Sequence, residues 1–175
     1  ANNKRELHTP ADMVNLKMRT YGDLQMSLMR SLGADPTQLS WSELYSALQT
    51  GAVDGNMNGY QTLYSGSLHE VQPYITEVNA TLSLYDFLAN QAAWDKLSPD
   101  TQALLQECAE EAAKWGRDYM SKTEAEVKKE MIDYGVKVYV PTAEELLAFK
   151  EGAAPTIEEY KKIVGPEACA AWGVE

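Results

Sequence analysis

The chain is poor in the residues from which catalytic and metal centres are built. Its 175 residues include two cysteines and two histidines. Cys108 and Cys169 form no metal-ligand or redox spacing. Cys108 falls among apolar positions of a helical stretch and reads as a buried thiol, with a disulfide to Cys169 left open. His8 and His69 have no partner at short spacing, and neither sits in a nucleophile or phosphate-loop motif. No enzyme is therefore expected, and no cofactor or metal. Basic residues are also scarce, 15 Lys and Arg against 26 Asp and Glu for a net charge of −11, and they are scattered along the chain. Such a surface repels phosphate backbones and anionic lipid, which argues against nucleic-acid and membrane-surface binding. A small anion is still allowed, because one desolvated arginine in a cleft outweighs a screened surface field. No apolar run is long enough to span a bilayer. Internal repeats and low-complexity segments are absent too. The chain opens on Ala1-Asn2-Asn3-Lys4 rather than Met, without the segments of a signal peptide, and reads as one whose N-terminus has been removed.

What is present is a sequence of short strands and capped helices. Thr9-Pro10-Ala11-Asp12 reads as an N-cap with Pro at the first helical position, so one helical turn precedes a strand at Leu16 to Arg19. After a turn at Tyr21-Gly22, Leu24, Leu28, Met29 and Leu32 recur at helical spacing, with Gly33 placed to end the helix left-handed. Ser40 and Glu43 make a capping box, flanked by Leu39 and Leu44 as a hydrophobic staple, for a helix that runs to Gly51. Val53-Asp54-Gly55 reads as a very short strand, Asn56 to Gly59 as a turn, and Gln61 to Leu68 as helix. Val78 to Leu88 is strand-like, with Leu82, Leu84 and Asp86 in one phase. The Asn79-Ala80-Thr81 sequon within it reads as chance.

From Ser98-Pro99 no breaker interrupts the chain until Tyr134-Gly135, with Gly116 the one weak point. About 36 residues of helix would measure roughly 54 Å at 1.5 Å per residue, more than the diameter of a small domain. Its first half carries an apolar stripe of Leu104, Leu105, Cys108, Ala112, Trp115 and Tyr119. A helix of this length lies across two bodies or breaks near Gly116. Val136 to Val140 alternates as an edge strand would, Thr142 and Glu145 cap a helix from Ala143 to about Glu151, and a last helical region runs from Pro155 to Val164. Strands mixed with helices indicate an α/β fold. Within it an arginine ends a short apolar strand, and an aromatic residue and an amide follow on other element ends. That combination suits recognition of a small organic carboxylate.

Taken in order, several stretches resemble the C-terminal portion of the solute-binding proteins of tripartite ATP-independent periplasmic (TRAP) transporters. They are Thr9-Pro10-Ala11-Asp12, Leu16-Lys17-Met18-Arg19, Leu32-Gly33-Ala34-Asp35-Pro36, Glu43 to Gly55, Glu70-Val71-Gln72 and Trp94 to Pro99. The Tyr-x-Ala-Leu-Gln-x-Gly-x-Val-Asp-Gly core, from Tyr45 to Gly55, is the specific part. The resemblance implies the C-terminal lobe of a two-lobed periplasmic-binding fold, with a long helix spanning the lobes and the N-terminal lobe absent from this chain. Residues 1–97 would then be the ligand-binding α/β lobe with hinge strands, 98–135 the bridging helix, and 136–175 an edge strand and C-terminal helices. It also implies a periplasmic protein that hands a small organic acid, such as a sugar acid, to TRAP membrane subunits. Arg19 matches the arginine that pairs with the ligand carboxylate, Trp41 the aromatic residue that packs on the ligand, and Asn58 the amide after Val-Asp-Gly. Tyr60, Tyr64 and Tyr85 are further cleft candidates. The family commonly has Glu-Asn-Pro where this chain has Met57-Asn58-Gly59, which removes a charge beside the arginine and loosens the turn. The rival expectation is an acidic helical interaction module. Its long helix would self-associate as a homodimer or a domain-swapped assembly of the fragment.

Overall fold

A β-strand alternates its side chains between two faces, and that alternation organises the larger part of this molecule. The computed structural model describes residues 1–81, 85–171 and 173. They divide into two compact units, one made of Ala1–Val78 with the chain from Glu130 onward, the other of Asn79–Lys129.

The first unit is built on short parallel strands. β1 (Lys17–Thr20) lies between β2 (Asp35–Gln38) and β3 (Gly55–Asn56), and β4 (Tyr74–Thr76) pairs with β5 (Lys137–Tyr139). Asn2 joins the two sets through antiparallel bridges to Gly55 and Tyr74. Its N–H donates to the Tyr74 carbonyl at 2.9 Å, and the Tyr74 N–H donates back at 3.2 Å. Gly55 is required at this crossing, since a Cβ there would lie 2.5 Å from the Ala1 carbonyl oxygen and 2.8 Å from Met18 Sδ.

On one face of β1, Met18 enters a core with Leu7, Met13, Leu16, Met29, Leu32, Ala34 and Phe149. Met29 comes from α1 (Asp23–Ser31) and Phe149 from α6 (Ala143–Ala171). Lys17 and Arg19 point to the other face and reach opposite ends of α2 (Trp41–Thr50). The Lys17 ammonium donates to the Gly51 carbonyl, and Arg19 Nε donates to the Leu39 carbonyl at 3.0 Å. Leu44 and Leu48 are the buried residues of α2. Ser40 and Glu43 form its predicted capping box, and Gly51 ends it at φ 74°.

Four expectations are corrected. Val78 to Leu88 forms no strand in its described residues, while Leu82, Ser83 and Leu84 lie outside them. Asn79 to Thr81 and Tyr85 to Asn90 are all exposed, so the strand-forming side chains have nothing to bury against. The helix after Gly59, α3 (Tyr60–Ser65), ends where Ser67 adopts φ 53°, and Leu68–Glu70 is a separate 3-10 turn. The two C-terminal helices are continuous through Pro155 and break only at Gly165 (φ 82°). Contacts with α1 hold this stretch together, with Ser27 Oγ 3.2 Å from Thr156 Oγ1 and donating to Glu159 at 2.5 Å. Cys108 is exposed rather than buried, and it and Cys169 are free thiols.

The second unit holds α4 (Gln91–Trp94) and most of α5 (Pro99–Tyr134), which runs unbroken through Gly116. The predicted stripe of α5, from Leu104 to Tyr119, is exposed along its length. Among the described residues no helix is long and apolar enough to cross a membrane.

The start of α6 is tied to β5 and to the N-terminal segment through Glu145. Its carboxylate accepts from the Thr142 N–H at 2.7 Å and from the Tyr139 hydroxyl at 2.8 Å, and lies 3.1 Å from His8 Nδ1. These donors, the Thr142 N–H first, hold the carboxyl at a pKa of about 2 against an ordinary 4.5. A depressed carboxyl pKa contributes stability that is present above the ordinary value and is lost as pH falls through the folded one. Thermal unfolding followed from pH 5 downward should therefore show a smaller acid loss in Glu145→Gln than in the wild type, the difference developing between 4.5 and about 2. Parallel acid limbs would contradict this.

Candidate functional site

Three elements converge at the C-terminal end of β1. Arg19 leaves the strand on the α2 face and is 6% exposed. The same residue that receives its Nε–H, Leu39, donates its own N–H to the Thr20 carbonyl at 3.2 Å. This fixes the guanidinium at the mouth of α2. Among the described residues its two terminal nitrogens have no hydrogen-bond partner, and no carboxylate pairs with it. Burial lowers the arginine's pKa, an effect the Tyr21 hydroxyl partly opposes. A guanidinium nonetheless stays protonated in a protein. The result is a buried cation with one edge satisfied and one edge open.

Arg19 lines a cleft of about 460 Å³ together with Tyr21, Gln38, Leu39, Ser40, Trp41 and Glu43. The guanidinium carbon lies 5.7 Å from the centre of the Tyr21 ring and 6.0 Å from that of Trp41, over both faces. Trp41 is 46% exposed and Tyr21 63%, so neither is an ordinary core residue. The ring of Trp41 rests on Gly66, where an added Cβ would lie 2.8 Å from its Cζ2. Glu43 receives the Ser40 hydroxyl at 2.5 Å and the Ser40 N–H at 3.3 Å, which lowers its pKa and keeps it ionised.

Of the five residues expected at a site, Arg19 and Trp41 line this cleft together. Asn58 follows β3 and has a buried amide nitrogen with no partner. Tyr60 begins α3 and donates its hydroxyl to Glu77 at 2.6 Å. Tyr85 belongs to the Asn79–Lys129 unit and is 92% exposed. Tyr64, the weaker candidate, stacks on His69 at 5.0 Å. Sequence reasoning missed Tyr21 and Asn56. Tyr21 is two residues beyond Arg19, the spacing that returns to one side of an extended chain. Asn56 is the register partner of Arg19 on β3 and is fully buried, with both amide atoms unpartnered.

A family model described as DctP, bacterial extracellular solute-binding protein, family 7, matches residues 1–163. The chain belongs to that family. It is 31% identical over 167 residues to the C4-dicarboxylate-binding periplasmic protein DctP of Rhodobacter capsulatus, covering 94% of this chain and 50% of that one. Among solved structures it is similar to the periplasmic ectoine-binding protein of the TeaABC TRAP transporter of Halomonas elongata. There the TM-score is 0.84 at 29% identity, over 94% of this chain and 54% of that one. A TRAP periplasmic solute-binding protein from Ralstonia eutropha with bound (S)-2-acetolactate gives 0.84 at 29% identity, over 94% and 55%. The chain spans about half the length of the curated relatives it matches. Its mixed helix and sheet is that of one lobe of their two-lobed fold.

Because the Trp41 ring lies on Gly66, Gly66→Ala should displace it. The expected outcome is a shifted Trp41 indole N–H resonance in NMR spectra, with a stability loss of about 1 kcal/mol, the low end for overpacking beside a movable side chain. An unmoved resonance would mean that the ring is not held there.

Proposed function

We propose that this chain is the C-terminal lobe of an extracytoplasmic solute-binding protein that captures a small organic carboxylate through Arg19 and delivers it to TRAP membrane subunits. The observation that carries this reading is the buried guanidinium of Arg19, anchored through Nε and open at both terminal nitrogens. A carboxylate fills such an edge with two parallel charge-assisted hydrogen bonds. The cost of burying the arginine is offset when the ligand arrives. Trp41 would pack on the ligand body, Asn58 would hydrogen-bond it or order Arg19, and Tyr60 and Tyr85 are secondary candidates. A site with one cation, two rings and no convergent acid, base and nucleophile binds and releases rather than converts, so we assign no catalysis. The relatives named as binding C4-dicarboxylate and acetolactate support the ligand class, and their periplasmic address supports the same compartment for this protein.

The exposed stripe of α5 favours a second component of the reading. Leu104, Leu105, Trp115 and Tyr119 would rest on the lobe that this chain lacks, with α5 bridging the two lobes. Without that lobe the stripe favours self-association, because each large side chain covered is worth roughly 1.5 to 3 kcal/mol.

Two outcomes test this. In titration calorimetry of the two-lobed protein, Arg19→Ala should lose about 2–4 kcal/mol of organic-acid affinity, and Arg19→Lys should not restore it, since a point charge cannot reproduce the fork. Equal affinity in Arg19→Ala would reject the clamp. The 175-residue chain by itself should bind at least about tenfold more weakly than the two-lobed protein, because a cleft needs both walls. Equal binding would reject the two-lobe reading.

A further inference from the structure

The proposed carboxylate clamp leaves open which acids fit it, and the walls around Arg19 bear on that. The first of these is charge. Lys17, the basic residue nearest in sequence, and Lys4 and Arg5 of the N-terminal segment are committed elsewhere, and Arg30 on α1 is not among the residues that line the cleft. Lys4 pairs with Asp54 at 3.3 Å, Arg5 donates to the Asp12 and Val14 carbonyls at 2.9 Å, and Lys17 donates to the Gly51 carbonyl. Arg19 is thus the one cation lining the cleft, and the other charged group there is Glu43. That carboxylate is held ionised by Ser40 at the first turn of α2. A ligand with one carboxylate neutralises Arg19. A second carboxylate would meet no cation on this wall, and Glu43 would repel it.

Shape is the second consideration. The Arg19 guanidinium lies over the faces of both Tyr21 and Trp41. A carboxylate bound to its terminal nitrogens lies in the guanidinium plane. The rings of Tyr21 and Trp41 beside it are exposed, and the flat body of a conjugated acid stacks on such ring faces. A branched or chair-shaped body is not flat and loses that contact.

We propose that the Arg19 cleft selects a monocarboxylate with a flat, conjugated body, held by its carboxylate on Arg19 and by its plane against Trp41 and Tyr21, with Glu43 discriminating against a second carboxylate. This rests on the clamp reading above and narrows its substrate class.

The test is a calorimetric panel on the two-lobed protein with acetate, benzoate, succinate and galacturonate. Benzoate should bind at least tenfold tighter than each of the other three. Trp41→Ala should lower benzoate affinity at least tenfold and acetate affinity far less. Glu43→Gln keeps the capping-box acceptor and removes only its charge, and it should raise succinate affinity severalfold while leaving the order of the others unchanged. Succinate or galacturonate binding as tightly as benzoate would overturn the proposal while the clamp stands, provided Arg19→Ala abolishes their binding. No binding by any of the four, or binding that Arg19→Ala leaves intact, would overturn both.

Discussion

A buried guanidinium with only one nitrogen satisfied is the constraint on which this lobe depends. Burying charge is tolerable when partners fill the hydrogen-bonding positions, and here the protein fills one edge and leaves the other open. The open edge stays unfilled because the surrounding groups are fixed elsewhere. The Leu39 carbonyl holds Nε, the neighbouring rings of Tyr21 and Trp41 present carbon rather than an anion, and Met57 packs against the core on the far side of the sheet. The unfilled edge is what suits the lobe to an anion in a chain of net charge −11.

The strand and helix around Arg19 form one mechanical unit. Lys17 and Arg19, two residues apart on the same face of β1, take hold of the carbonyls at the two ends of α2. The helix is therefore set along the strand, and its first residue, Trp41, is set beside the arginine. The capping box fixes the same helix end from within. Asn56, beside Arg19 in register, adds a buried amide with no protein partner. The polar demand at this end of the sheet exceeds what the lobe supplies, the condition expected where a ligand completes a site.

Local chemistry was legible in the sequence. Ser40, Glu43 and Gly51 marked both ends of α2, Gly33 the left-handed residue after α1, and the unbroken run after Pro99 the whole of α5. Non-local pairing was not. β2 contains Pro36 and was not expected from the sequence, yet it forms because it is an outer strand that pairs only with β1, where a missing donor is tolerated. β4 exists only because β5 and Asn2 come to it from distant parts of the chain. The opposite error, a strand at Val78 to Leu88, came from side chains suited to a sheet, of which those at Thr81, Tyr85 and Phe87 are exposed with no surface to cover. Within the site, the family motif pointed to Arg19 and Trp41. Tyr21 and Glu43 carried ordinary local explanations, a turn and a cap, which hid their place on the cleft wall.

Carboxylate capture is tested most directly at the guanidinium itself, by nitrogen-15 NMR of the Arg19 side chain during addition of an organic acid to the two-lobed protein. Its Nε–H signal should stay in place throughout, since the Leu39 carbonyl holds it with or without ligand, while the terminal N–H signals should sharpen and shift downfield as the open edge is filled. Terminal signals that remain unchanged at saturating ligand would contradict the clamp.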